Sequence, residues 1–222
     1  MFNLEERTTR GDVIAGLALL ISMIAILTQF YHRLIGNQVT LLPLEQVIFH
    51  IKSVNKMDSY VDVISTQTYI NHGARSYGEP ILRERAVLQV GNDMFALGSL
   101  NLVSLHGKAN NRTYRVRGDY KPFILSGKSI ESHMTQFVSI GAPKASLTPL
   151  VFLEAVREAE ENKLSIEYSV SYRRIDDFSE AITCKIDPSL LLERLSELVD
   201  KSMDSNVDAD KDPWVVVKCS AP

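Results

Sequence analysis

The chain has 222 residues, a formal net charge of −3, 45% hydrophobic residues and 23% charged ones. A balance this close to neutral excludes a general pull toward nucleic acid or anionic lipid, and the length suffices for one domain that buries its own core. Two cysteines, Cys184 and Cys219, are too few for a disulfide scaffold and leave room for one bond.

Residues 13–31, VIAGLALLISMIAILTQFY, carry no formal charge. As a helix they would extend roughly 28 Å, about the depth of a bilayer's hydrocarbon core. The reading is an uncleaved signal-anchor helix, because no A-x-A-like cleavage site follows the apolar run. Arg7 and Arg10 precede it and Arg33 alone follows closely. The positive-inside tendency then makes 1–12 a cytoplasmic tail and puts the main domain on the far side of the cell membrane. Gly11, Ala15, Ala18, Ser22, Ala25 and Gln29 recur at 4-3-4-3-4 spacing. Small residues at that spacing let two helices approach, so the stripe is either a self-association face or the ordinary frequency of small residues in such helices.

Residues 32–45 read as a linker, with Gly36, Asn37 and Pro43. The remainder, 46–222, is dominated by short alternating runs. Val47, Phe49 and Ile51 open the series, Val61 and Val63 follow, and Ala86, Leu88 and Val90 alternate with Arg83, Arg85 and Gln89. Gly91-Asn92-Asp93 breaks the chain before Met94–Leu105 resumes it. Further strands are expected at Tyr114–Val116, Phe123–Leu125 and Met134–Ile140. The clearest is 163–174, where Leu164, Ile166, Tyr168, Val170 and Tyr172 take every second position. That is the period of a half-buried antiparallel strand. Ile182, Cys184 and Ile186 repeat it, and Trp214–Cys219 ends the series.

Two segments carry helical spacing instead. Thr148-Pro149 and Asp187-Pro188 are start signals, a capping side chain followed by proline at the first helical position. Leu150, Leu153 and Val156 follow the first, and Leu191, Leu192, Leu195, Leu198 and Val199 follow the second. Nine or ten short strands at near-regular intervals predict a mainly β, antiparallel, β-sandwich-like (Ig-like) domain with two late helices. The alternative is an α+β domain with both helices on one face of a single sheet.

Motifs that carry chemistry are incomplete in this chain. Residues 122–129, PFILSGKS, approach a phosphate loop, but proline stands where glycine is needed and bulky strand formers replace flexible residues. Residues 204–215 begin like a calcium loop, yet Ala209 and Val215 occupy its glycine and glutamate positions. A looser cation site or an acidic loop are the readings left. The five histidines fall in no metal-ligand or triad spacing. The sequence thus assigns no catalytic residue, no cofactor and no metal. Cys184 and Cys219 both lie on the apolar side of their strands, where they either pair or serve as small core residues.

One surface stretch stands out. Lys108, Arg112, Arg115, Arg117 and Lys121 face a single acid, Asp119, across residues 106–121. With Tyr114 and Tyr120 interleaved, such a stretch can hold phosphates and stack bases; outside the cytoplasm the expected ligand is an acidic partner or lipid headgroups, and the alternative is a solvated basic hairpin. These features predict a membrane-anchored binding or assembly module, a non-enzymatic part of a cell-envelope complex, contacting the membrane and another membrane or envelope protein, or itself, and not nucleic acid. The rivals are an enzyme whose site assembles only in space and a cytoplasmic-side scaffold.

Overall fold

The structure is a computed structural model that describes residues 10–35, 39–55, 58–73, 78–106, 113–140, 147–174, 179–203 and 214–220. In chain order these form α1 (Arg10–Ile35), β1 (Val39–Leu41), β2 (Gln46–Asn55), β3 (Asp58–Asn71), β4 (Glu79–Ile81), β5 (Arg83–Val90), β6 (Asp93–His106), β7 (Thr113–Asp119), β8 (Phe123–Leu125) and β9 (Ile130–Ser139). They continue with α2 (Pro149–Glu161), β10 (Ile166–Arg173), β11 (Ser179–Ile186), α3 (Pro188–Met203) and β12 (Trp214–Lys218). The fold is mainly β, as the alternating runs predict.

All described pairings are antiparallel, and the main sheet runs β11-β10-β5-β6-β9-β3-β2-β12. β1 adds to β3 and β7 adds to β6. The path nearly closes on itself. Its terminal strands meet at a bridge between Lys185 and Ser220, where the Ser220 N–H donates to the Lys185 carbonyl at 3.0 Å. Beside that bridge Cys184 and Cys219 are joined, with Cα atoms 5.0 Å apart.

Alternation decides what lies inside. Val47, Phe49, Val61, Val63, Leu88, Val90, Ile166, Val170, Val215 and Val217 point into one core, each 2% exposed or less. Both late helices join that core through Phe152, Val156, Leu191 and Leu195. α2 begins as its sequence predicts: the Val151 N–H donates to Thr148 Oγ1 at 3.3 Å and Pro149 opens the first turn. Phe152 packs on Phe49 with ring centroids 5.0 Å apart, and truncating a buried phenylalanine of this kind to alanine costs about 3–5 kcal/mol.

The opposite end is covered by β4 and β8, which pair with each other outside the main sheet. Beneath them Val39, Leu41, Tyr69, Ile81, Leu125 and Tyr172 form a second cluster. β1 lies in the stretch read as a linker. Its three residues are too few to register as a period, yet Val39 and Leu41 are buried and Tyr172 OH donates to the Val39 carbonyl at 2.9 Å.

The N-terminal helix requires a correction. Among the described residues, no helix is long and apolar enough to cross a membrane. This overturns the placement as a single-pass protein of the cell membrane with a cytoplasmic N-terminus and an extracytoplasmic domain.

Candidate functional site

Three arrangements could carry function: a carboxylate inside the sheet, a polar row on its outer face, and an exposed basic strand.

The first is centred on Glu84, which stands on the same alternate face of β5 as Ala86, Leu88 and Val90 and is wholly buried. Tyr69 OH from β3 donates to its Oε1 at 2.5 Å, and Thr135 Oγ1 from β9 donates to its Oε2 at 2.9 Å. His133 Nε2, also from β9, lies 2.7 Å from Oε1, while Ser99 Oγ from β6 donates to the Glu84 main-chain carbonyl at 3.1 Å. Aromatic rings wall this cluster. Tyr69 stacks on His133 at 5.6 Å and meets Tyr172 edge-on at 5.3 Å, and Phe123 meets His133 edge-on at 5.0 Å. A little deeper, Gln67 Nε2 donates to Ser65 Oγ at 2.6 Å, and Ser65 Oγ lies 2.8 Å from Tyr168 OH.

Burial holds the hydroxyls of Tyr69, Tyr120 and Tyr168 far above the ordinary tyrosine range, and the negative charge of Glu84 adds to the effect at each. Tyr69 therefore remains a protonated donor to Glu84, whereas the Tyr120 hydroxyl is buried without a hydrogen-bond partner among the described residues. With Tyr69, Thr135 and His133 on its oxygens the Glu84 carboxylate has few acceptor sites to offer a substrate, and the cluster ties β3, β5 and β9 together.

The second arrangement runs across the outer face. Asn101 Nδ2 donates to Gln136 Oε1 at 3.0 Å, Gln136 Nε2 donates to Asp62 Oδ2 at 2.5 Å, and His50 Nδ1 lies 3.6 Å from the same oxygen. The His50 ring sits 4.8 Å from Trp214. His50 and Asp62 form the acid–imidazole pair that no sequence spacing reveals, since β2 and β3 bring them together across a register. Both are wholly buried, with Ile48 and Ile64 beside them. A pair without exposed surface meets no substrate in this structure.

The third is β7. Residues 115–119 are exposed on both faces of the strand, and Arg115, Arg117 and Lys121 project there with Asp119 as the single acid. Val116 is 46% exposed. Lys108 and Arg112, the other members of the basic stretch, lie outside the described residues, as does the acidic stretch 204–212.

The remaining sequence candidates fall as follows. Ala15, Ala18, Ser22 and Ala25 lie exposed along α1, and the Ser22 hydroxyl donates within the helix to the Ala18 carbonyl at 2.8 Å. The Gln29 side chain is outside the described ones. The near-match to a phosphate loop is β8 followed by a turn with Lys128 at φ 55°. Among the described residues, no group of three or more histidine, cysteine, aspartate or glutamate side chains could hold a metal ion.

No family model matches the chain, and no curated protein is similar to it. Among solved structures, the chain overlaps Spo0M, a sporulation control protein from Bacillus subtilis, with a TM-score of 0.29 and 10% identity, over 75% of this chain. The overlap takes in 55% of that protein's length. An overlap this loose transfers nothing to the present chain.

Proposed function

We propose that this chain is a non-enzymatic binding or assembly module that engages an acidic protein partner through the β6–β7 ribbon. The observation that supports it is β7 itself, a strand exposed on both faces with three cations against one acid between residues 115 and 121. The Glu84 carboxylate argues the same way, because both its oxygens are taken by Tyr69, His133 and Thr135 inside the fold. A charged, projecting ribbon raises encounter rates with an oppositely charged surface and makes binding depend on salt. We also read the nearly closed sheet as sandwich-like, its two walls facing each other where Phe137 and Tyr168 approach to 6.4 Å between ring centroids.

The test is fluorescence anisotropy with a labelled glutamate-rich peptide, against wild type and the Arg115→Glu, Arg117→Glu, Lys121→Glu triple variant. We expect binding that weakens with salt and falls at least tenfold in the variant. Equal binding by the variant would overturn the proposal. So would a labelled thymidine oligonucleotide binding more tightly than the peptide, since the partner would then be nucleic acid.

A further inference from the structure

Resting on the reading of the β6–β7 ribbon as the partner surface, we infer that the partner binds as an added strand along the free edge of β7, setting acidic side chains beside Arg115 and Arg117.

The topology favours this edge: among the described residues β1, β4 and β8 also pair on one side only, but each has three residues against seven in β7. β6 carries β9 along one side and, along the other, β5 up to Gly98 and β7 from Asn101 onward. Among the described residues β7 pairs only with β6. The terminal strands β11 and β12 are not comparably open, because the Lys185–Ser220 bridge and the Cys184–Cys219 bond join them. In an antiparallel strand every second residue turns its N–H and carbonyl away from its partner, so β7 presents such groups outward. Thr113 to Val116 stand in unbroken register with His106 to Val103. The exposure of both faces at 115–119 leaves space for another strand.

The chemistry selects the occupant. An open edge invites any extended chain, and charges or irregularities on it are the usual defence. β7 has both: Arg115 and Arg117, and a register shift opposite Leu102 and Val103 that leaves Arg117 without a counterpart. A second copy of this chain, paired edge to edge about Val116, would set Arg115 against Arg117, and like charges directly opposite oppose pairing. A neutral strand gains nothing from the arginines. A strand with carboxylates at alternate positions turns the same defence into attraction, and backbone pairing plus alternate side chains is how strand addition combines affinity with selectivity.

The experiment uses the full chain and two fluorescein-labelled octapeptides of equal charge, one alternating glutamate with valine and one with proline in place of each valine. Proline removes the donor at every second residue and fixes φ near −65°, away from the extended values of a paired strand, while keeping the carboxylates. We expect the valine peptide to bind and to slow hydrogen exchange at residues 113–116, and the proline peptide to bind at least tenfold more weakly. The Arg115→Glu, Arg117→Glu variant, checked for its native circular dichroism, should lose both. Equal binding of the two peptides without slowed exchange would overturn strand addition and leave the acidic-partner reading standing. Binding of neither would overturn both. Sedimentation as a dimer that the Arg115→Glu, Arg117→Glu variant abolishes would hand the edge to a second copy and overturn the inference.

Discussion

The hydroxyls of Ser65 and Tyr168 lie 2.8 Å apart although β3 and β10 are not neighbours in the sheet. Between them along the hydrogen-bonded path stand β5, β6 and β9. The contact therefore crosses the interior and reports the wrapping of the sheet rather than any single strand pair. Tyr168→Phe keeps the ring and removes the bond. It should cost about 1–2 kcal/mol, the range for a buried hydrogen bond whose partner is left behind. Urea unfolding of Tyr168→Phe, Ser65→Ala and the double variant forms a cycle. A double cost clearly smaller than the sum of the single costs is the expected sign of direct coupling; strict additivity would mean the wall-to-wall contact is absent.

Glu84 sets a harder constraint, because Tyr69, Thr135 and His133 all spend polar atoms on it. Glu84→Ala strands those groups in the interior and should destabilise by about 3–5 kcal/mol, as removal of one member of a buried charged network does. Glu84→Gln preserves the shape and one acceptor oxygen and should cost less. Thermal melting should rank wild type above Gln and Gln above Ala. An alanine variant that melts with wild type would show that the cluster contributes nothing to stability.

The buried tyrosines give the pH dependence a definite sign. Burial first, and the charge of Glu84 second, raise Tyr69 and Tyr120, and burial dominates again at Tyr168. Their protons are thus held by the folded chain and released by the unfolded one near the ordinary phenol value of about 10. Stability from this source is complete below that value and is lost as pH rises through and above it. Absorbance at 295 nm should rise in two stages, exposed phenols first and buried ones together with the loss of circular dichroism. A single smooth titration of all tyrosines in a still-folded protein would contradict the burial described.

The bond between Cys184 and Cys219 spans 35 positions and fastens the two terminal strands of the sheet path. Closing a loop of that length in the unfolded chain accounts for about 4 kcal/mol in the chain-entropy treatment. Cys184→Ser, Cys219→Ser should therefore unfold at clearly lower urea than the oxidised wild type, and reductant should shift the wild type but not the variant. Equal midpoints would mean that the Lys185–Ser220 bridge and the shared core hold the seam without it.

Much of this architecture is legible in the sequence where burial follows a period. Ile166, Tyr168, Val170 and Tyr172 alternate in the chain and are all buried. Thr148-Pro149 and Asp187-Pro188 start helices where they stand. The exceptions have physical causes. Glu84 occupies an inward position of β5, but a carboxylate there reads as solvent-facing until Tyr69 and His133, 15 and 49 positions away, are seen to reach it. Gln67 and Ser65 break the apolar face of β3 for the same reason. His50 and Asp62 share a neighbourhood only through the β2–β3 register. The apolar run 13–31 does form a helix, yet among the described residues no helix combines the length and the apolarity that a membrane span requires. The basic stretch was visible because charge needs no partner to be seen; its place on an open edge was not.

A last prediction comes from the end of α2. Lys163 sits at φ 53°, the left-handed region that favours glycine, just past the C-cap Asn162. The Leu164 N–H donates to the Ala159 carbonyl at 2.8 Å and the Lys163 N–H to the Glu160 carbonyl at 3.1 Å, the double closure that ends many helices on glycine. Here a side chain is held in that conformation at a cost of about 1 kcal/mol. Lys163→Gly relieves it, and the larger freedom of glycine in the unfolded chain returns part of the gain. The net expectation is a stabilisation of up to about 0.5 kcal/mol, read as a higher urea midpoint with an unchanged slope. Lys163→Val, β-branched in the same conformation, should move the midpoint the other way. If both substitutions leave it in place, the turn after α2 does not constrain this residue, and the closure onto Ala159 and Glu160 is not what terminates the helix.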